Sequence, residues 1–186
     1  MVAGDNMTTK RLTFLAMLLA LSVILNIVER IIMGAVSQPL VFIVPPGGIR
    51  IGLANIVILI ILYTYGIKDA LAMLILRVLL VGIVTGSLGN VAFFNSVVGG
   101  LLAFTMMVTF KHLPGFSIIS VSIMGAVGHV FGQIIVTTFI VGLAAVFYLP
   151  FMLIFTIPAG LFTAKIARMM ISYLKPIMEN SSSLKY

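Results

Sequence analysis

The stretch that decides the fold is FSIISVSIMGAVGHVFGQIIVTTFIVGLAAVFYLPFMLIFTIPAGLFTA, residues 116–164. In about fifty residues it carries no acid, lysine or arginine, and His129 is its only histidine. A helix crossing a hydrocarbon core of about 30 Å uses roughly 20 residues, so this run is two spans and not one. Gly142 breaks it, and Pro150 suits the first turn of a new helix, where the missing N–H has no partner to lose. The expected helices are Ile118–Val141 and Pro150–Ser172, the second with a possible kink at Pro158 and a stop at Pro176 and the Ser181–Ser183 tail.

The same pattern extends toward the N-terminus. Lys10-Arg11 opens an apolar run that ends near Ile32. A signal peptide starts similarly, and Ala35-Val-Ser37 weakly resembles a cleavage site, but the run is too long for an h-region and more spans follow. Three further spans are expected at Ile49–Tyr65, Ala70–Ser87 and Val91–Phe110, separated by Gly66-Ile-Lys68-Asp69 and Gly86-Ser-Leu-Gly89-Asn90. The expected fold is an all-α integral membrane protein with six transmembrane helices. Residues 10–175 form a single six-helix domain, and residues 1–9 and 176–186 are tails. No strong internal repeat is visible, nor are paired interrupted helices.

Composition agrees. The 186 residues are 62% hydrophobic and 8% charged, where a soluble surface needs roughly 25–35% charged residues. The apolar fraction, about 115 residues, is close to what six spans of roughly 20 require. The chain contains no cysteine, which excludes disulfides, thiolate metal sites and thiol nucleophiles. Two histidines and four acids are too few for a zinc or hard-cation site, so no metal and no cofactor is expected. A net charge of +7 reads as basic loops facing anionic lipid and not as nucleic-acid binding. With both ends inside, Lys10, Arg11, Lys68, Lys111, Lys165, Arg168, Lys175 and Lys185 all fall on the cytoplasmic side, as the positive-inside rule requires.

Arg30, Arg50 and Arg77 do not serve that rule. A polar group at membrane depth is costly and faces a cavity or a partner. At 1.5 Å per residue, Arg50 and Asn55 fall at and just below the outer face, and Arg77 near the middle. Asn95 lies in the outer half, and His129 and Gln133, four apart, share a helix face. Together these six residues suggest an outward-opening pocket, in which only Glu29 offers negative charge at comparable depth. An anion is the expected ligand, because a buried guanidinium needs a partner and its planar fork suits carboxylate or phosphate. Each residue also has a structural reading. Arg50 can reach to headgroups, Arg77 can pair with Glu29 or a helix carbonyl, and His129, Gln133 and the asparagines can be interhelical hydrogen-bonding groups. The first outer loop, residues 34–48, is apolar at Leu40–Val44 and reads as a lid over the pocket or a segment lying in the headgroups.

The chain has no phosphate-binding Gly-rich loop, no nucleophile–base–orienter set and no deep acid to couple ion movement. It is not expected to be an enzyme, and uphill transport would need energy from another subunit.

Three motifs carry a family resemblance: Pro46-Gly-Gly48-Ile-Arg50-Ile-Gly52-Leu-Ala-Asn55, then Leu76-Arg77-Val-Leu-Leu with Gly82 and Thr85-Gly86-Ser, then Gly125-Ala-Val-Gly128-His129 with Gly132-Gln133. Over about Thr9–Leu174 the chain resembles the Gx transporter family, also described as heptaprenyl diphosphate synthase component I, which is similar to the substrate-binding S components of energy-coupling factor (ECF) transporters. The resemblance implies a multi-pass bacterial plasma-membrane subunit that captures a small molecule under the first outer loop. It also implies docking on a coupling membrane subunit driven by cytoplasmic ATPases. A small-xxx-small pair on the first helix, matched by Ala16 and Ala20, would form the docking face. The doubled Pro45-Pro46 departs from the family's shorter Pro-Gly-Ile-Arg form. The synthase description points instead to an accessory subunit of an isoprenoid, quinone or electron-transfer pathway, since no Asp-rich prenyl-synthase motif is present.

Overall fold

A computed structural model describes residues 9–37 and 52–183. Six α-helices account for nearly all of them: α1 Thr9–Ser37, α2 Asn55–Thr64, α3 Ile67–Val84, α4 Val91–His112, α5 Ile118–Val141 and α6 Leu149–Ser183, with a short 3-10 helix at Leu143–Tyr148. No strand occurs among the described residues. Four of the helices, α1, α4, α5 and α6, are long and apolar enough to cross a membrane. The 18-residue α3 is long enough but carries Lys68, Asp69 and Arg77.

Local chemistry sets the helix ends. Asn90 caps α4 by accepting the Phe93 N–H at 3.1 Å, and Ser117 caps α5 through Ser120 N–H at 3.3 Å, the usual use of short polar side chains at a helix start. Gly142 (φ +79°) ends α5 where a side chain would be strained. The long apolar run therefore splits as expected, with Pro150 in the first turn of α6.

Other boundaries differ from expectation. Pro176 does not end α6, which continues to Ser183, and Pro158 lies within it. Each proline removes one donor from a long helix whose neighbouring turns remain bonded. The helical backbone thus takes in most of the segment expected to be a tail. Likewise α1 runs on to Ser37.

The largest correction is α2. A span over Ile49–Tyr65 is expected, yet the helix has only 10 residues, about 15 Å. Gly52 (φ +81°) turns the chain immediately before it, and Gly66 (φ +101°) closes it. Ile56 to Leu62 are all buried, the mark of a helix that is apolar on every side. It touches all five other α-helices, which follow one another around it in the order α1, α3, α4, α5, α6. Large apolar side chains such as Met17, Ile31, Ile83, Phe139 and Phe155 point outward from that ring.

Charged contacts identify one end of the bundle. Arg11 of α1 pairs with Asp69 of α3 and lies 5.4 Å from the centre of the Tyr65 ring. Lys111 Nζ donates to the Leu62 carbonyl at 2.6 Å, satisfying one of the last-turn carbonyls of α2, and sits 4.9 Å from the Tyr63 ring centre. The starts of α1 and α3 and the finishes of α2 and α4 therefore share a level. Ser122 of α5 and Thr163 of α6 pair at 2.9 Å in the half nearer that end, while Glu29, Asn95 and Gln133 lie on the parts of their helices nearer the other.

Candidate functional site

The cleft is built on α1. Its buried residues Leu15, Leu18, Ser22 and Glu29 follow a heptad-like stripe, so an acid continues the line that the leucines begin. Glu29 is 4% exposed. Its Oε1 accepts the Gly52 N–H at 2.6 Å and its Oε2 the Leu53 N–H at 3.0 Å. These donors precede α2, where the helix dipole also favours negative charge. The carboxylate thereby ties α1 to the entry of the central helix.

At the first residue of α2, Asn55 Oδ1 accepts from Arg77 Nη1 at 3.2 Å. Arg77, 3% exposed, comes from α3. Glu29, the Gly52–Leu53 turn, Asn55 and Arg77 thus form a continuous polar wall across three helices. Opposite, Ser96 of α4 and His129 of α5 complete a small cleft, with Ala54, Val78 and Val81 as its apolar part.

Glycines make the far wall possible. A Cβ on Gly99 would stand 2.9 Å from His129 Cε1, and one on Gly132 would stand 2.5 Å from the Gly99 Cα. Backbone contact between α4 and α5 therefore brings the imidazole inward. Gly100 does the same for α3, its added Cβ lying 3.0 Å from Leu74 Cδ1 and 3.7 Å from Arg77 Nη2.

Of the six residues expected to line a pocket, the structure brings Asn55, Arg77 and His129 to one cleft. Asn95 and Gln133 are not on its wall. They lie one turn beyond the His129–Gly99 contact on their helices, 1% and 2% exposed. Among the described residues, Asn95 Oδ1 and both amide atoms of Gln133 have no hydrogen-bond partner. Arg50 lies outside the described residues, as do the proposed lid at Leu40–Val44 and Pro45-Pro46. Arg30 is not on the cleft wall but borders it, donating to the wall residue Asn26 through Oδ1 at 3.2 Å and to Thr85 Oγ1 at 3.3 Å. Ala16 and Ala20 are exposed on the side of α1 away from the bundle.

Three wall residues were not singled out by the sequence: Asn26, Ser96 and, as wall and not merely counter-charge, Glu29. The α1 stripe was the legible signal for Glu29. Ser96 had none, since its neighbour Asn95 drew the attention a polar residue in a span attracts. Glu29 also changes the electrostatics. The acid expected as the one negative charge at this depth stands on the cleft wall itself, on the same wall as Arg77.

No curated protein and no solved structure matches this chain. The family model for heptaprenyl diphosphate synthase component I does match, over residues 18–170. With most of its length covered, bundle and cleft included, the chain belongs to the heptaprenyl diphosphate synthase component I family.

Proposed function

We propose that this chain is a non-enzymatic substrate-capture subunit of an ECF-type importer in a bacterial plasma membrane. The observation that carries the reading is the convergence of polar side chains from five helices on one cleft, Glu29 and Arg77 among them. Polar groups at membrane depth are expensive, and a ligand site is the usual return for that cost. In this reading the membrane is crossed six times, with α2 in the second pass and α3 as the third, and both termini are cytoplasmic. The Arg11, Asp69 and Lys111 end then faces the cytoplasm, as a basic end should, and the cleft faces outward. The exposed Ala16 and Ala20 leave a flat strip on α1, suited to close approach by a helix of a coupling subunit.

The test is affinity purification from native membranes in mild detergent. Recovery of a coupling membrane subunit with cytoplasmic ATPases is expected, and its absence overturns the reading. Ligand retention by Arg77→Ala provides a second measure, since unchanged retention would remove the cleft from the proposal.

The family description favours a second reading, an accessory membrane subunit of a prenyl diphosphate, quinone or electron-transfer system. Co-purification with a soluble synthase or redox partner, without ATPases, would select it.

A further inference from the structure

The side chains of the cleft restrict what it can hold. Glu29 and Arg77 bring opposite formal charges to adjacent parts of one wall, linked through the Gly52–Leu53 turn and Asn55. The carboxylate accepts two backbone N–H groups but offers about four lone-pair sites, so it retains capacity to accept from a ligand. Ser96 and Asn26 add neutral donors and acceptors. A diphosphate here would gain Arg77 but meet the Glu29 carboxylate in a poorly solvated site, where like charges repel more strongly than in water. A polyprenyl tail finds only Ala54, Val78 and Val81 as apolar lining, in a cleft that encloses little free space.

We propose that the cleft binds a small dipolar solute, with a cationic or N–H donor group directed at Glu29 and an anionic or carbonyl acceptor at Arg77, and binds neither a diphosphate nor a prenyl chain. This rests on the cleft being a ligand site but not on the identity of the partner subunits. Matched charge at both ends of a short ligand offsets the desolvation of both wall residues. Neither a simple anion nor a simple cation does that.

The experiment is thermal unfolding of the full chain in detergent, followed by circular dichroism. The probes are glycine, L-serine, acetate, methylammonium, inorganic pyrophosphate and farnesyl diphosphate at matched concentration. At least one amino acid should raise Tm by about 3 °C or more, exceeding acetate and methylammonium combined. Glu29→Gln should remove the contribution of the ammonium group and Arg77→Gln that of the carboxylate. If either variant fails to accumulate, Glu29→Asp and Arg77→Lys replace them, and each should shrink the amino-acid shift without changing the ranking of probes. A larger shift with pyrophosphate or farnesyl diphosphate overturns the proposal, and so does the absence of any shift with both amino acids. Loss of ATPase co-purification would instead overturn the importer reading and leave these shifts unaffected.

Discussion

Substituting Gly132 with alanine tests whether the cleft depends on backbone contact between α4 and α5. The new Cβ would stand 2.5 Å from Gly99 Cα, 2.7 Å from Gly99 N and 2.8 Å from the Val98 carbonyl carbon. Ordinary contact begins near 3.4 Å, so the shortest of these falls about 0.9 Å short. All three atoms are backbone and cannot rotate away, so the helices must separate. Overpacking costs about 1–3 kcal/mol where side chains can yield. With rigid atoms the upper part of that range applies, or about 6–12 °C of Tm for a chain of this size. Gly125→Ala is the matched comparison. Its Cβ meets Met107 Cγ at 2.6 Å and Sδ at 3.0 Å, and because a side chain can yield where backbone cannot, the expected cost is about 1–2 kcal/mol, below that of Gly132→Ala. Gly34→Ala meets nothing within 4 Å and should be neutral or stabilising by about 0.5–1 kcal/mol, since alanine is the better helix former. Thermal unfolding of the three variants in one detergent provides the comparison. If Gly132→Ala melts within 1–2 °C of the parent, roughly the noise of such comparisons, the close approach does not support the site.

Other consequences are as direct. Gln133→Met replaces a buried amide that has no hydrogen-bond partner among the described residues with an apolar group of similar length. The ligand-free protein should gain about 1–3 kcal/mol, and a fall in Tm would show that the amide is satisfied. Glu29→Ala removes the acceptor of the Gly52 and Leu53 N–H groups and should cost about 1–3 kcal/mol, with faster hydrogen exchange at those two amides as the specific readout. Arg11→Ala breaks an ion pair whose side chains remain partly exposed, 29% and 14%. With solvent screening its cost should stay below about 1 kcal/mol, and a double-mutant cycle with Asp69→Ala checks it. Ala16→Leu with Ala20→Leu fills an exposed face and should leave Tm within about 0.5 kcal/mol of the parent, while abolishing partner co-purification.

Much of the architecture was legible because the bilayer imposes it. Apolar length and basic flanks need no tertiary context, and caps such as Asn90 and Ser117 act within one turn. The start of α4 and both ends of α5 therefore fall where the residues themselves put them. The cleft was half legible. Asn55, Arg77 and His129 stood out because each is a polar group in an apolar run. Asn95 and Gln133 stood out for the same reason but lie behind the wall, since spacing along a helix does not say which neighbour a face meets.

The sequence alone determined that this is a helical membrane protein whose spans carry few charged or amide side chains, because hydrophobic length and the cost of buried charge are local properties of the chain. Tertiary structure decided the rest. It made α2 a short central helix in contact with five others, a consequence of the turn at Gly52 and of apolar residues on every side. It also set Glu29 beside Arg77 by satisfying the carboxylate with backbone N–H groups more than twenty residues away. What reads in one dimension as an excess of positive charge becomes, in the fold, a cleft with an acid and a guanidinium on the same wall.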